Sequence, residues 1–224
     1  MTIALWLRAD RGITTVSGKV SVWADISVNA NSLDQGTAAL RPTYVNDGTG
    51  QGGRPYLDFV SADGTRLADT SFSGWPLGSG TYLAVVVNNT STTGTQYACH
   101  FVTALGLLHC GRILMANGSA QTQGKVVLGV TDETTDAVAS TTGAYVLEVF
   151  RSSVTDKLEI WRGGSRISAT SGTVAIDTTG NLAGECYIGD AAAGGGLYDG
   201  HLYELVLANV DPTAAQLAQL GLKR

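Results

Sequence analysis

Charged residues are scarce in this chain and make up 15% of its 224 residues. Lysine and arginine number 14 against 19 aspartates and glutamates, which gives a net charge of −5. Nucleic acid is therefore not an expected partner, because binding it requires a clustered basic surface and no such cluster is present. No apolar run approaches the roughly 20 residues of a membrane-spanning helix, so no membrane partner is expected.

The amino terminus lacks the features of a secretory signal. Ile3–Leu7 is apolar, but Arg8 ends the run well short of the about 7–15 residues that a signal peptide's apolar region needs. We expect the protein to be made and folded in a cytoplasm without a signal peptide.

Cysteine is also rare, with Cys99, Cys110 and Cys186 alone. An odd number argues against the disulfide framework of a secreted domain. His100 and His109 adjoin two of the cysteines, but their spacing matches no common zinc pattern. We expect buried free thiols and no metal site.

Only four prolines are present, beside 29 glycines and 44% hydrophobic residues. This composition is typical of an all-β protein with short strands and tight turns. The length suits one domain with a sizeable core, and no linker or repeat divides it. We expect a single domain over residues 1–224.

Short apolar or alternating segments between glycine and asparagine turns predict the strands. They are Ile3–Leu7, Val20–Trp23, Tyr56–Phe59, Thr81–Val87, Tyr97–Val102, Gly111–Ala116, Lys125–Thr131, Tyr145–Phe150, Lys157–Arg162, Arg166–Thr170, Cys186–Ile188 and His201–Ala208.

Two of these segments carry a more specific prediction. His201–Ala208 is apolar on both faces, as expected of a central strand. Gly163-Gly164 predicts a two-residue hairpin loop. That loop predicts the pairs Arg162 with Ser165, Trp161 with Arg166, and Ile160 with Ile167. Beyond the last strand, Asp211 as N-cap and Pro212 predict a short helix that ends near Leu220.

The order of several motifs resembles a concanavalin A-like lectin/glucanase domain of the laminin-G-like or pentraxin-like kind found in bacterial and phage proteins. From Leu5 to about Leu220 these motifs are LWLRAD, VSVWADISVNAN, RPTY, GGRPYLDF, YVLEVF with KLEIWRGG, YIGD and YDGHLYELVLAN. The resemblance implies a jelly-roll β-sandwich of two curved antiparallel sheets with a short C-terminal helix.

One motif departs from the family. The W-x-D-x-S-G-x-G-N loop is matched at Trp23, Asp25, Ser27 and Asn31, but Val28 and Ala30 replace its glycines. Valine resists a positive φ, so the family geometry does not transfer directly. Asp25 and Asn31 are candidate ligand residues, although turn-closing hydrogen bonds are the favoured role for both.

The glucanase branch of the family places carboxylates at alternate positions of one strand, and this chain has no such string. Glu148 and Glu159 lie on adjacent predicted strands and could face each other, but we expect that the register staggers them or that one of them faces solvent. No G-x-S-x-G nucleophile motif is present. We expect a protein that is not an enzyme, with glycoside hydrolase as the third hypothesis.

Sugar binding usually needs an aromatic side chain and hydrogen-bonding groups on loops. Trp75 in a glycine-rich loop, and Tyr198, Asp199 and His201 around a turn, are the candidate ligand-binding residues. The alternatives are that Trp75 covers the core and that Tyr198 and Asp199 form a hairpin turn. Calcium is common in the family, but acidic residues are sparse here, so no cofactor is expected.

Two functional hypotheses lead. The first is a non-enzymatic structural or interaction module on the surface of a bacteriophage particle: a capsid-decorating, head-fibre or tail-associated protein. Its partners would be other virion proteins, cell-surface glycans and further copies of this chain in a homo-oligomer. The second is a carbohydrate-binding lectin module of a bacterial surface or secreted protein. Both hypotheses depend on the family resemblance. The step from family to function is an analogy, since fold alone does not fix function.

Overall fold

The computed structural model describes residues 2–73, 82–103, 109–117, 121–128, 131–134, 138–139, 141–151, 157–169, 183–190 and 195–208. Within these ranges the chain forms 18 strands and three short 3-10 helices, and every strand pair is antiparallel. The 3-10 helices are Ala38–Leu40, Gln51–Gly53 and Ser61–Asp63. No helix in the described ranges is long and apolar enough to cross a membrane.

The strands are numbered in chain order. They are β1 (Ile3–Arg8), β2 (Ile13–Val16), β3 (Lys19–Trp23), β4 (Leu33–Asp34), β5 (Thr43–Val45), β6 (Tyr56–Phe59), β7 (Leu67–Asp69), β8 (Tyr82–Asn89), β9 (Thr95–Thr103), β10 (His109–Asn117), β11 (Gln121–Leu128), β12 (Thr131–Thr134), β13 (Val138–Ala139), β14 (Gly143–Arg151), β15 (Leu158–Arg162), β16 (Ser165–Ala169), β17 (Ala183–Ile188) and β18 (Gly200–Ala208).

The first sheet is built around β18. One edge of β18 is shared by β6, along Gly200–Leu202, and by β1, along Glu204–Ala208. Its other edge pairs with β8, and the sheet continues through β14 and β15 to β16. The central position predicted for this strand is confirmed.

The second sheet runs β4, β7, β17, β9, β10 and β11, with β12 and β13 beyond. Strand β3 pairs with both β4 and β5, and β5 pairs with β6, so this part of the chain joins the two sheets along one side. The architecture is an antiparallel β-sandwich, as the sequence predicts.

A single apolar core fills the space between the sheets. The first sheet contributes alternate residues such as Val85 and Val149, and the second contributes Cys99 and Phe101. Trp23, from the joining strands, is fully buried in the same core. Because side chains alternate across a strand, this cluster fixes the inward faces of β8, β14 and β18.

The first sheet is also buried on the face turned away from that core, which we call the outer face. A second apolar cluster lies there and includes Tyr82, Phe150 and Tyr203. Alternation places Glu148 and Glu159 on this face as well. Around β18 both faces of the sheet are therefore largely buried, in agreement with the mostly apolar residues of that strand.

Each strand that the sequence predicts overlaps a strand of the structure. The strands it misses are β2, β4, β5, β7, β12 and β13, which are two to four residues long. Segments this short do not show a readable alternation. The helix expected around Asp211–Leu220 lies outside the described residues.

The β15–β16 hairpin confirms two of its three predicted pairs. Gly163 and Gly164 form the loop with positive φ angles of 57° and 84°, and Trp161 pairs with Arg166. The third pair is wrong. A bulge between Ile160 and Trp161 shifts the register, so Ile160 pairs with Ser168 and not with Ile167.

Candidate functional site

Three chain connections meet at one end of the sandwich and enclose an open pocket of about 500 Å³. They are the 3-10 helix after β6, the turn that leads into β9, and the loop that precedes β18. We call this cavity the loop-end pocket. Its polar side chains are Ser61, Thr93, Thr95, Gln96 and Asp199, and Gly195 and Gly196 contribute backbone.

Asp199 links the third connection to the other two. Its carboxylate accepts a hydrogen bond from the Ser61 backbone amide (2.7 Å) and another from the Ser61 hydroxyl (2.6 Å). Its own amide donates to Oε1 of Gln96 at 3.2 Å, and Nε2 of Gln96 donates to the Thr93 carbonyl at 2.6 Å. Gln96 is only 2% exposed, so this network fixes the pocket without a mobile side chain at its base.

The glycines of the third connection have different surroundings. A Cβ on Gly196 would lie 2.2 Å from Cδ2 of Tyr97, so the backbone there packs flat on that ring. A Cβ on Gly195 would meet nothing within 4 Å. Gly195 therefore offers an exposed backbone position at the pocket, where a larger side chain can be introduced without a clash.

An ion pair lies behind this loop. Nη1 of Arg66 is 2.8 Å from Oδ2 of Asp190, a residue that is 1% exposed. The other oxygen of Asp190 accepts a hydrogen bond from the amide of Gly196 at 3.5 Å. The buried carboxylate is thus compensated by a guanidinium, as a buried charge requires.

Tyr198 points into the protein. Its side chain is fully buried against Phe59, with the ring centroids 6.2 Å apart, and its amide donates to the Gly189 carbonyl. Burial raises the pKa of the Tyr198 hydroxyl well above its usual range. In this structure the Tyr198 ring contributes packing and no contact surface for a ligand.

His201 lies on the outer face of the first sheet. Its ring stacks on Tyr56 with centroids 4.1 Å apart, and its Nε2 is 3.6 Å from Oδ1 of Asp58. Burial lowers the pKa of His201, and the Asp58 carboxylate partly opposes this. Burial also raises the pKa of Asp58. The charge of His201 lowers this pKa, and the negative charge of Asp199 raises it.

The predicted patch of Tyr198, Asp199 and His201 is therefore not one surface. These neighbours in sequence point to the core, to the loop-end pocket and to the outer face, respectively. Trp75 lies outside the described residues, so its binding role stays a prediction.

Asp25 and Asn31 close the loop between β3 and β4. Asp25 accepts hydrogen bonds from the Trp6 amide, from the amide and hydroxyl of Ser27, and from the Asn31 amide. Asn31 exchanges hydrogen bonds with the backbone of Ser73. The left-handed residue of this loop is Ala30 (φ 55°), so valine is not forced into that conformation. The structure shows the turn-forming role; a ligand role for either residue stays a prediction.

The two candidate catalytic carboxylates are staggered. Glu148 pairs with Trp161 and Glu159 pairs with Phe150, so the two lie diagonally on the outer face. Each is buried and accepts a hydrogen bond: Glu148 from the Tyr82 hydroxyl (2.6 Å) and Glu159 from Nε1 of Trp161 (2.8 Å).

Metal-binding groups do not converge in the part of the chain that the structure describes. No group of three or more histidine, cysteine, aspartate or glutamate side chains there is placed to hold a metal ion.

Sequence reasoning finds Asp199 but misses its partners. Ser61 lies 138 residues from Asp199 along the chain, and Gln96 lies 103 residues away. Neither partner belongs to a motif with a defined spacing. The signal in the sequence is only that each lies beside a turn-forming segment.

No protein-family model matches this chain, and no curated protein sequence matches it. Solved structures do. A structure of botulinum neurotoxin type C, whose cell entry depends on interaction with two ganglioside molecules, aligns over 98% of this chain and 50% of its own (TM-score 0.63, 8% identity). The binding domain of botulinum neurotoxin DC, in complex with rat synaptotagmin II, aligns over 98% and 51% (TM-score 0.63, 8% identity).

Trypanosoma rangeli sialidase in complex with sialic acid aligns over 97% of this chain and 32% of its own, with a TM-score of 0.53 and 14% identity. This chain therefore spans about half of each toxin chain and about a third of the sialidase chain. The likeness is one of fold.

Proposed function

We propose that this protein is a non-enzymatic binding module that recognises glycans, and that the loop-end pocket holds the sugar. The observation that carries the proposal is the lining of that pocket. Hydroxyl groups of Thr93 and Thr95 and the exposed backbone of Gly195 meet in one open cavity, and the buried Gln96 lies at its base.

Such a lining suits a sugar because each sugar hydroxyl both donates and accepts hydrogen bonds. Hydroxyl and peptide groups offer both functions at short range. The hydrogen bonds that Asp199 accepts from Ser61 and donates to Gln96 hold the three connections in place before any ligand arrives. Preorganisation of this kind lowers the entropy cost of binding.

The structural neighbours add support at the level of fold. Their names connect them with gangliosides and sialic acid. With identities of 8% and 14%, these neighbours share a scaffold with this chain and no specific residues are carried over. The choice of the loop-end pocket rests on its own geometry.

The test is to fill the pocket. Gly195→Trp adds an indole to the lining of the pocket, at a position where a Cβ meets no atom within 4 Å. Gly36→Trp is the matched control, since Gly36 is also exposed and has open space but does not line the pocket. Binding to a glycan array, followed by calorimetry on the best ligand, should be lost in Gly195→Trp and kept in Gly36→Trp. Equal binding by both variants would exclude this pocket.

The absence of catalysis is part of the proposal. It is supported by the burial and the hydrogen bonds of Glu148 and Glu159, which engage these carboxylates within the protein. Incubation with each glycan that binds should release no new reducing ends. Release that disappears in Glu148→Gln or Glu159→Gln would show a glycoside hydrolase instead.

We also propose membership in the concanavalin A-like group and a location on a bacteriophage particle, in contact with other virion proteins. The support is the family resemblance of the sequence, to which the sandwich fold adds. Mass spectrometry of purified particles should find this chain at a copy number related to capsid or tail symmetry. Finding it only on bacterial surfaces or in culture medium would favour the alternative, a bacterial lectin module.

A further inference from the structure

We infer that the loop-end pocket selects uncharged sugars over sugars that carry a carboxylate such as sialic acid. This inference rests on the proposed glycan-binding function and adds the class of ligand to it. The inferred ligand differs from the sialic acid that one structural neighbour binds. Such a difference is compatible with a shared fold, because ligand choice depends on side chains that the fold does not fix.

The first argument is the charge of the lining. Among the described residues that line the pocket, Asp199 is the one with an ionisable side chain, and none is lysine or arginine. Its carboxylate is an acceptor already occupied by both donors of Ser61. Residues 191–194, which precede Gly195, are three alanines and a glycine, so they carry no side-chain charge.

The second argument concerns two basic side chains on segments beside the pocket, Arg66 and His201. Arg66 pairs with buried Asp190 at 2.8 Å, so this ion pair has no net charge to offer a ligand. On the other side, His201 faces Asp58, and burial lowers the pKa of the histidine. At pH 7 the imidazole is mainly neutral, whereas Asp58 adds a second negative charge near Asp199.

A carboxylate is recognised in proteins by arginine, lysine or a set of convergent amide donors, usually with charge-assisted hydrogen bonds. Among the described residues that line this pocket, it would meet the charge of Asp199 and no lysine or arginine. A neutral sugar meets no such repulsion and keeps the same hydroxyl contacts. At partly screened separations of several ångströms, the repulsion corresponds to about threefold to tenfold in affinity.

The experiment compares matched ligands that differ by one sialic acid. A glycan array of neutral oligosaccharides and their sialylated forms is followed by calorimetry on the best-bound pair. The neutral member should bind at least about threefold more tightly at 0.15 M salt. Raising the salt to about 1 M should narrow the difference, because screening shortens the range of the repulsion.

Asp199→Asn tests the source of the selectivity. The asparagine oxygen still accepts the Ser61 amide hydrogen, and its NH₂ group donates to the Ser61 hydroxyl, so the loop contacts are retained. The affinity for the sialylated ligand should rise relative to the affinity for the neutral ligand, and this ratio is the quantity that the variant tests. The salt series on the unaltered protein gives the same information if this variant does not fold.

The outcomes separate the inference from the proposed function. Preference for the sialylated member, lost in Gly195→Trp, would overturn the inference and leave the glycan site in place. A neutral preference that neither salt nor Asp199→Asn changes would overturn its electrostatic basis. Binding of no glycan, or binding unaffected by Gly195→Trp, would overturn both.

Discussion

Oδ1 of Asp25 accepts a hydrogen bond from the backbone amide of Trp6 at 2.9 Å, across the free edge of β1. The Trp6 carbonyl accepts a hydrogen bond from the Ile26 amide at 2.9 Å, so both backbone groups of this residue are paired by the loop. A strand at the edge of a sheet otherwise presents unpaired groups to solvent or to other chains. The loop around Asp25 thus takes the place of a neighbouring strand.

Asp25→Ala should lower the free energy of unfolding by about 3 kcal/mol, because the amides of Trp6, Ser27 and Asn31 lose their acceptor together. Urea denaturation followed by tryptophan fluorescence measures the change. Asp47→Ala is the control, since exposed Asp47 makes the same local turn with Thr49 but contacts no strand edge. Equal effects in the two variants would contradict the edge-sealing role.

Tyr82→Phe should cost about 1.5–3 kcal/mol of stability. The Tyr82 hydroxyl donates a hydrogen bond to buried Glu148 at 2.6 Å. Phenylalanine cannot make this bond, and water cannot reach the buried carboxylate to replace it. Tyr187→Phe removes a similar bond, to Glu185 at 2.7 Å, in a half-buried setting. There water replaces the lost partner, so thermal denaturation should show a change below about 1 kcal/mol.

His201 should make the protein less stable as the pH falls. Burial lowers the folded-state pKa of His201 below 6.5, so the unfolded chain binds the proton more readily. Stability from this residue is therefore complete above pH 6.5 and is lost as the pH falls through the folded-state pKa. Unfolding midpoints at pH 7.5 and about 5.5 should differ less in His201→Asn than in the unaltered protein.

The same pKa can be observed directly. Proton NMR should show a histidine resonance that titrates below 6.5 and disappears in His201→Asn. Asp58→Asn should lower this pKa further, because the Asp58 carboxylate favours the charged imidazole. A higher pKa in Asp58→Asn would show that the pair does not interact as described.

Gly189→Ala should be among the more damaging substitutions, with a loss above about 2 kcal/mol. Gly189 has a φ of +82°, and a Cβ there would lie 2.3 Å from Cδ1 of Phe59. Gly18 has a similar φ of +76° with nothing within 4 Å. Gly18→Ala should therefore lose only about 1 kcal/mol of unfolding free energy, from backbone strain alone. Chemical denaturation measures the loss in both variants, and the difference between them is the cost of the clash with Phe59.

Local pattern predicts most of the long strands. Tyr56–Phe59 has the predicted bounds, and β18 is predicted from its apolar residues on both faces. These signals are readable because burial on a strand alternates with a period of two. The register of β15 with β16 is predicted only as far as Trp161, because the bulge beyond it depends on packing against the core.

The candidate site is less accessible from the sequence. Tyr198, Asp199 and His201 lie within four residues of the chain, and the sequence suggests a shared ligand-binding patch or, for Tyr198 and Asp199, a hairpin turn. In the structure the three side chains point in different directions: Tyr198 lies in the core and Asp199 at the pocket. Gly200 has a φ of +150° and begins β18, where alternation places His201 on the outer face. Ser61 and Gln96 become neighbours of Asp199 only when β6, β9 and β18 are assembled in the sandwich.

The sequence by itself determined the antiparallel all-β class, the main strands and the small, uncharged character of the loop that holds Gly195, since these follow from composition and from contacts within a few residues. Tertiary structure alone decided which loops share a pocket, which carboxylates are buried and which aromatic rings are covered. The physical reason is distance along the chain. Sheet pairing brings together groups more than 100 residues apart, and no local pattern encodes that pairing.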